Sequence, residues 1–386
     1  VKATTEMKRS TGRVFLPGSV VGILGGGQLG RMVILEGRKM GYRFVTLDPA
    51  ADCPAGQVAD RHIAKGYDDP EGAEALAEAA DVIAYEFENV SAEAVKRLER
   101  RAALPQGSRL LEVTQHRLRE KESLAAGGLP VTPFRAVRNP EEAKRAAEEL
   151  GLPCVMKTAT GGYDGKGQRL IRSAEEAASS WTDLSAGGRE LILEQFVPFQ
   201  KELSVVVARG IRGETASFPV AENIHRDHIL HRTIVPAPID EGIARQAKKL
   251  ARDAAEHLGV VGLIAVEMFL LEDGRLLINE LAPRPHNSGH YTYDACATSQ
   301  FEQFLRAICG LPLGSPRLLT PAVMVNVLGQ HLPGLLEKLP YLPPEVKVHL
   351  YGKREARYGR KMGHVTVLAD ANEALEIIHQ IGLWEK

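Results

Sequence analysis

Two apolar runs, Gly262-Leu-Ile-Ala-Val-Glu-Met-Phe-Leu-Leu271 and Arg275-Leu-Leu-Ile-Asn-Glu-Leu281, are separated by a short stretch containing Asp273-Gly274. An Asp-Gly pair between such runs is a strong hairpin signal, because these residues accept the positive φ values that a tight antiparallel turn needs. With Asp273 and Gly274 as the turn, residue 272 pairs with 275 and 271 with 276, until Glu267 lies opposite Glu280. Two carboxylates then share one sheet face, roughly 5 Å apart at Cβ. Like charges so placed weaken a ladder unless a cation, a proton or solvent separates them. A divalent ion completed by water and phosphate is one solution, and an exposed acidic pair at a strand end is the other. A β-bulge between turn and carboxylates would turn one of them onto the opposite face.

The 386 residues suffice for two or three domains with proper cores. A formal net charge of −1 provides no global field for nucleic acid or an acidic membrane, so ligands are expected to be recognised locally. Cys53, Cys154, Cys296 and Cys309 show neither CxxC spacing nor the density of a disulfide scaffold, which points to the cytoplasm. The apolar stretch from Val20 is interrupted by Gly25, Gly26, Gly27 and Gly30 and has no signal-peptide pattern before it, so neither membrane span nor export signal is expected. Residues 1–19 are polar and unpatterned and read as a polar leader, an extension before the first strand.

Apolar strands at Val20–Leu24, Arg43–Leu47 and Asp81–Tyr85 alternate with helical stretches at Leu29–Met40 and Glu71–Ala80, the pattern of a small doubly wound α/β domain over 20–115. An α+β unit follows over 116–205, with a helix at Glu141–Leu150, strands at Cys154–Lys157, Gln168–Ile171 and Leu191–Phe196, and a glycine-rich loop. Residues 206–316 add strands, the amphipathic helix Gly242–Leu258 and the acidic hairpin. A strand-rich segment over 317–386 closes the chain.

Gly25-Gly-Gly-Gln-Leu-Gly30, between a strand and a helix, satisfies GxGxxG, and Asp48 ends the next strand where a ribose-binding acid belongs. Any first βα turn that offers N–H groups to a ligand favours the same glycines, so a nicotinamide oxidoreductase is only one reading. A second glycine loop, Gly161-Gly-Tyr-Asp-Gly-Lys-Gly167, lies between two short strands and can fold over polyphosphate, with Lys166 and the preceding Lys157 as cations; a plain surface hairpin has the same composition. Glu194-Gln-Phe-Val197 can offer backbone to an adenine edge with Phe196 and Val197 as an apolar wall, and Glu202 can accept from ribose hydroxyls. His225, His228 and His231 recur every three residues, but without the helical pattern that would gather them around zinc, so separate polar contacts to a nucleotide are the better reading. Arg284, His286, Asn287, Ser288 and His290 crowd a loop between prolines and a glycine, as a binding loop does. Lys353, Arg360 and Lys361 sit beside glycines and can clamp a monoester phosphate, or be a basic surface hairpin.

Taken together the motifs GGGQLGRM, YEFENV, GGYDGKGQ, EQFVPFQKE, AENIHRDHIL, LINELAPRPHNSGH and GRKMGH resemble, in order and spacing, the ATP-grasp superfamily and within it the 5-(carboxyamino)imidazole ribonucleotide synthase family. The resemblance spans residues 20–384. It implies an ATP-grasp fold of mixed α/β and α+β character: a doubly wound pre-ATP-grasp domain, central ATP-grasp domains and a small β-rich C-terminal domain. It also implies carboxylation of the exocyclic amine of 5-aminoimidazole ribonucleotide, with ATP and bicarbonate, through carboxyphosphate. Position by position, ATP would be held by Arg117, Lys157, Gly161, Gly162, Tyr163, Asp164, Gly165, Lys166, Gly167, Gln168, Glu194, Gln195, Phe196, Val197, Glu202, His225, Asn279 and Glu280. Glu267 and Glu280 would bind Mg2+, as two ions, with Mn2+ as a substitute. Gln28, Tyr163, Asp164, Arg284, His286, Asn287, Ser288, Lys353, Arg360 and Lys361 would take the ribonucleotide, and Arg284, Asp164 and His286 the catalytic roles. A homodimer without nucleic-acid or membrane partners is implied. Another ATP-grasp ligase, joining formyl or amino-acid groups, is the nearest rival, and a silent nucleotide-binding protein a further one.

Overall fold

The computed structural model describes residues 12–161 and 167–384. In chain order the elements are β1 (Val20–Leu24), α1 (Gln28–Lys39), β2 (Arg43–Leu47), β3 (Arg61–Ile63), α2 (Pro70–Ala79), β4 (Val82–Tyr85), α3 (Ala92–Glu99), α4 (Ser108–Thr114) and α5 (Arg117–Ala126). Then come β5 (Phe134–Val137), α6 (Pro140–Leu150), β6 (Cys154–Thr158), β7 (Gln168–Ile171), α7 (Ala174–Leu184) and β8 (Leu191–Gln195). The third stretch has β9 (Lys201–Arg209), β10 (Thr215–Ser217), β11 (Ala221–Arg226), β12 (Ile229–Val235), α8 (Glu241–His257), β13 (Gly262–Leu270), β14 (Leu276–Ala282), α9 (Thr292–Ala295) and α10 (Gln300–Ile308). The last has β15 (Ala322–Leu328), α11 (Leu332–Lys338), β16 (Val346–Leu350), β17 (Lys361–Val367) and α12 (Ala371–Ile381).

The first four strands form a parallel sheet ordered β3-β2-β1-β4. Parallel strands covered on both faces need no alternation, which is why β1 and β4 read as unbroken apolar runs. The loops after β1, β2 and β4 gather at the carboxyl ends of the strands, where open α/β sheets bind ligands. An antiparallel lid sheet, β5-β8-β6-β7, packs α6 and α7 against Met156, Ile171, Leu191 and Leu193.

The largest sheet is ordered β14-β13-β9-β11-β12-β15-β17-β16, with β10 beside β9. Its centre is buried on both faces. Val205 and Val207 of β9 meet Ala247, Leu250 and Ala251 of α8, whereas Val206 and Ala208 join the core of Phe301, Phe304 and Leu305 of α10 and Val33 and Ile34 of α1. The C-terminal strands do not stand apart, because β15 pairs with β12 and extends this sheet. The described part of the expected leader, residues 12–19, packs onto the body of the fold. Phe15 is buried, its N–H donates to the Cys309 carbonyl at 2.9 Å, and its carbonyl accepts from the Tyr42 hydroxyl at 2.6 Å.

The acidic hairpin departs from the expected register twice. Leu271 pairs with Arg275 through a 2.9 Å hydrogen bond, and Leu270 lies opposite Leu276, so Glu272, Asp273 and Gly274 form a three-residue turn with Gly274 at φ +83°. A bulge then falls between the Met268–Ile278 and Glu267–Glu280 pairs, with Asn279 as the additional residue. The two displacements cancel, and Glu267 does lie opposite Glu280. The bulge has a further consequence. Neighbours in a regular strand face opposite ways, yet Asn279 and Glu280 line the same cavity.

Candidate active site

Where a dinucleotide pyrophosphate would sit, the chain supplies its own acceptor. The Glu86 carboxylate, 5 % exposed at the end of β4, accepts the N–H groups of Gly27 and Gly30 at the start of α1. Burial pushes this carboxyl up, against the two amides, to about 7. Asp48 accepts from Gly26 N and Ala50 N, both at 2.8 Å, and from the Tyr67 hydroxyl, so it is committed to shaping the loop. The nicotinamide reading of Gly25–Gly30 and Asp48 fails on these contacts.

Two cavities adjoin one another, the larger beside this loop. The larger, 920 Å3, is bounded by Gly26, Gln28, Asp48 and Glu86 on one side and by Lys353, Arg360 and Lys361 on the other. The smaller, 310 Å3, is lined by Arg117, Lys157, Gln168, Glu202, His225, Glu267, Asn279, Glu280 and Ser288. Glu88, Arg284, His286, Asn287 and Lys361 line both, so a single wall separates a chamber with a phosphate-type clamp from one rich in carboxylates and cations.

In the smaller chamber the Lys157 ammonium is 2.8 Å from Glu194, Arg117 is 3.3 Å from Glu280, and Glu202 pairs with His225. Burial alone would lower the His225 imidazole, but Glu202 outweighs it and raises the group above its usual range. Glu267 would be raised by burial, yet the His286 Nε2 3.1 Å away, with His225 and Arg284 beyond, holds it well below the usual carboxylate range. Glu267 is therefore ionised at neutral pH. The loop bearing His286 is pinned by Gln300, whose Oε1 accepts from His286 N at 2.9 Å and whose Nε2 donates to its carbonyl at 2.8 Å. His286 Nδ1 meets the Ser288 hydroxyl at 2.8 Å.

Lys353 donates to the Lys361 carbonyl at 2.7 Å, and burial, then the charges of Arg360 and Lys361, bring its ammonium down to about 8. Among the described residues both amide atoms of Asn287 are buried without a hydrogen-bond partner.

Some expected residues stand elsewhere. Glu194 is buried behind Lys157 and Lys121, and Gln195, Phe196 and Val197 line neither cavity. Gln195 Nε2 donates to Leu150 O at 2.9 Å, and Phe196 is 44 % exposed. Gly161 and Gly167 take positive φ at the two ends of the second glycine loop, and the Gly167 carbonyl accepts from Thr158 N at 2.9 Å to close its neck. Gly162, Tyr163, Asp164, Gly165 and Lys166 lie outside the described residues. His225 and His228 reach the smaller cavity but His231 does not, and no group of three metal-ligating side chains occurs among the described residues, so the zinc reading has no site. Glu86, Glu88, Asn223, Lys121 and Gln300 were not expected as site residues. Glu86 and Glu88 do fall in YEFENV directly after an apolar strand, which is the one signal that marks them.

A lid sheet and a carboxylate-bearing antiparallel sheet facing one nucleotide-sized cleft, with a doubly wound domain at its mouth, define an ATP-grasp ligase. The comparisons agree: residues 19–115 match the ribonucleotide synthetase preATP-grasp domain, 122–301 the ATP-grasp domain, and 322–377 the phosphoribosylaminoimidazole carboxylase C-terminal domain. The N5-carboxyaminoimidazole ribonucleotide synthase of Bacillus subtilis (strain 168) is 50 % identical over 356 residues, 92 % of this chain and 93 % of that protein. That of Brucella melitensis is 45 % identical over 352 residues, 91 % and 96 % of the two chains. The crystal structure of an N5-carboxyaminoimidazole ribonucleotide synthetase in complex with ADP superposes with a TM-score of 0.92 at 52 % identity, covering 97 % of this chain and 98 % of that one. The Aspergillus clavatus enzyme in complex with ADP and 5-aminoimidazole ribonucleotide gives 0.88 at 32 %, covering 94 % and 97 %. The chain belongs to the N5-carboxyaminoimidazole ribonucleotide synthase family, ATP-dependent carboxylating ligases of purine biosynthesis.

Proposed function

We propose that the smaller chamber takes ATP, that the larger takes 5-aminoimidazole ribonucleotide, and that bicarbonate is activated at the wall between them. The observation that carries this reading is the five-residue wall common to both cavities, since a carboxyl group activated on one side can be passed to an amine on the other without meeting bulk water. In the smaller chamber Lys157 and Arg117 neutralise the triphosphate, Glu202 receives the ribose, and the chain from Gly161 to Gly167 closes over the phosphates. In the larger, Lys353, Arg360 and Lys361 grip the monoester phosphate.

Glu267 and Glu280 suit Mg2+: both are hard oxygen donors, they lie opposite one another, and two protein carboxylates leave places for phosphate and water. When bound there, Mg2+ neutralises charge developing on the transferred phosphoryl group. Bicarbonate oxygen attacks the γ-phosphorus and ADP leaves, giving carboxyphosphate. The amine then takes the carboxyl carbon, directly or as released CO2, with loss of phosphate and one proton. Arg284 holds the carboxyl-derived anion, the Asn287 amide offers a donor and an acceptor beside it, and His286 with Asp164 orients the amine. A homodimer in the cytoplasm completes the proposal, and the four buried free cysteines suit a reducing compartment.

The test is ADP release measured with all three substrates. It should require bicarbonate, rise with aminoimidazole ribonucleotide, and fall at least about 100-fold in Glu280→Gln. ADP release supported by formate or an amino acid in place of bicarbonate would reassign the substrate.

A further inference from the structure

Lys121 is only 2 % exposed and lines neither cavity. An ammonium buried this deeply is tolerated only where hydrogen bonds and opposite charge replace its water. Its Nζ donates to the Asn279 carbonyl at 3.1 Å and lies 3.7 Å from Glu194 Oε1. The first partner is the additional residue of the bulge that returns Glu280 to its place opposite Glu267. Were Asn279 accommodated regularly, it would itself oppose Glu267, and Glu280 would turn to the other face.

The residue before the bulge is held independently. Ile278 N donates to Pro130 O at 2.8 Å, and Thr132 N donates to Ile278 O at 3.3 Å. Strand β14 is thus held by backbone at Ile278 and again from Glu280 to Ala282, where it pairs with β13, and at the bulged Asn279 between them by one ammonium. Glu194, at the end of the lid-sheet strand β8, takes Lys157 on its other oxygen at 2.8 Å. Helix α5, the lid sheet and the catalytic sheet therefore meet at Lys121.

We infer that Lys121 is a positioning residue that locks the Asn279 bulge, and with it the facing of Glu280 to Glu267, while anchoring Glu194 at the same point. This rests on the reading of Glu280 as a metal carboxylate only where metal dependence is concerned; the bulge itself is tested without metal.

Lys121→Met keeps the apolar stem and removes the charge and donors. In the full chain without nucleotide or metal, amides of residues 278–281 should exchange about ten-fold faster, with those of α8 and α10 unchanged. In the assay, the Mg2+ concentration for half-maximal ADP release should rise about ten-fold and KM for ATP should rise, with KM for aminoimidazole ribonucleotide steady. Lys121→Arg, which restores a cation and donors, should recover part of the protection. Lys121→Gln, retaining an uncharged amide donor, provides the same comparison if the methionine variant does not fold. Unchanged exchange at 278–281, or a uniform acceleration over the whole chain, overturns the inference. Full activity in Glu280→Gln would overturn the metal reading instead, and the exchange result would still decide the role of Lys121.

Discussion

Arg284 grips the Glu88 carboxylate at two points, with Nη2 2.8 Å from Oε1 and Nε on Oε2, in the wall common to both cavities. Burial would raise Glu88, but the guanidinium overrides it and holds the carboxyl at about 2. The pair is ionised throughout the neutral range and keeps the planar fork aimed along the wall.

Glu88→Gln leaves that guanidinium with a neutral acceptor. Breaking one side of a buried ion pair costs about 3–5 kcal/mol, and partial exposure of both side chains, 28 % and 18 %, brings the expectation to about 2 kcal/mol. Urea unfolding should register that loss. The kcat should fall about ten-fold or more with KM for ATP little changed, because the anion held by Arg284 is made during the reaction.

Lys353 fixes a pH limit on substrate binding. Its ammonium, brought down to about 8 by burial and by Arg360 and Lys361, is lost as pH rises through that value, whereas a free lysine keeps its proton to about 10.4. A monoester phosphate needs the cation. KM for aminoimidazole ribonucleotide should be flat from about pH 7, where the monoester phosphate is a dianion, to pH 8 and climb above it, with a log–log slope approaching one. Lys353→Met should show a raised KM without that break, and KM for ATP should not follow the same profile.

Glu86 links stability to pH with the opposite sense from a salt-bridged carboxylate. Its folded value, about 7, lies above the ordinary carboxyl value, so between roughly pH 4.5 and 7 the folded chain holds a proton that the unfolded chain has released. Stability must fall as pH rises through this window. The raised value corresponds to about 3 kcal/mol at most. Glu86→Gln should flatten this part of the profile in urea unfolding at pH 5 and pH 8, and an unaltered profile would show that the two glycine amides keep the carboxylate ionised.

What was legible in the chain is what short-range pattern carries. In the first sheet β1, β2 and β4 are apolar runs bounded by glycine or aspartate, whereas β3, Arg-His-Ile, carries no such pattern, and the second glycine loop is flanked by strands that do pair, β6 with β7. Partners set by the tertiary fold were not legible. Glu86 reaches amides at Gly27 and Gly30, and Lys121 reaches Asn279, across long stretches of sequence. In each case the local composition reads equally well as a solvated charge. Continuity of the C-terminal strands with the catalytic sheet depends on β12 pairing with β15, which no periodicity announces. Phe15 is a single aromatic in a polar stretch, and only its contact with Cys309 and Tyr42 shows that it belongs to the core.

The hairpin offers the sharpest separation of register from ligand chemistry. Asp273-Gly274 does mark the turn, but Gly274 at φ +83° closes three residues rather than two, and Asn279 makes good the missing step. Deleting Asn279 would leave Met268 opposite Ile278 and bring Glu280 opposite Glu267 in an unbroken ladder. The fold should persist as a cooperative unfolding transition, less stable by about 1–3 kcal/mol because Lys121 loses its carbonyl partner. ADP release should nevertheless fall about 100-fold, since the bulge is what sets two adjacent polar side chains on one face of the cleft. Retained activity in the deletion would mean that opposed carboxylates alone suffice and that Asn279 is only a spacer.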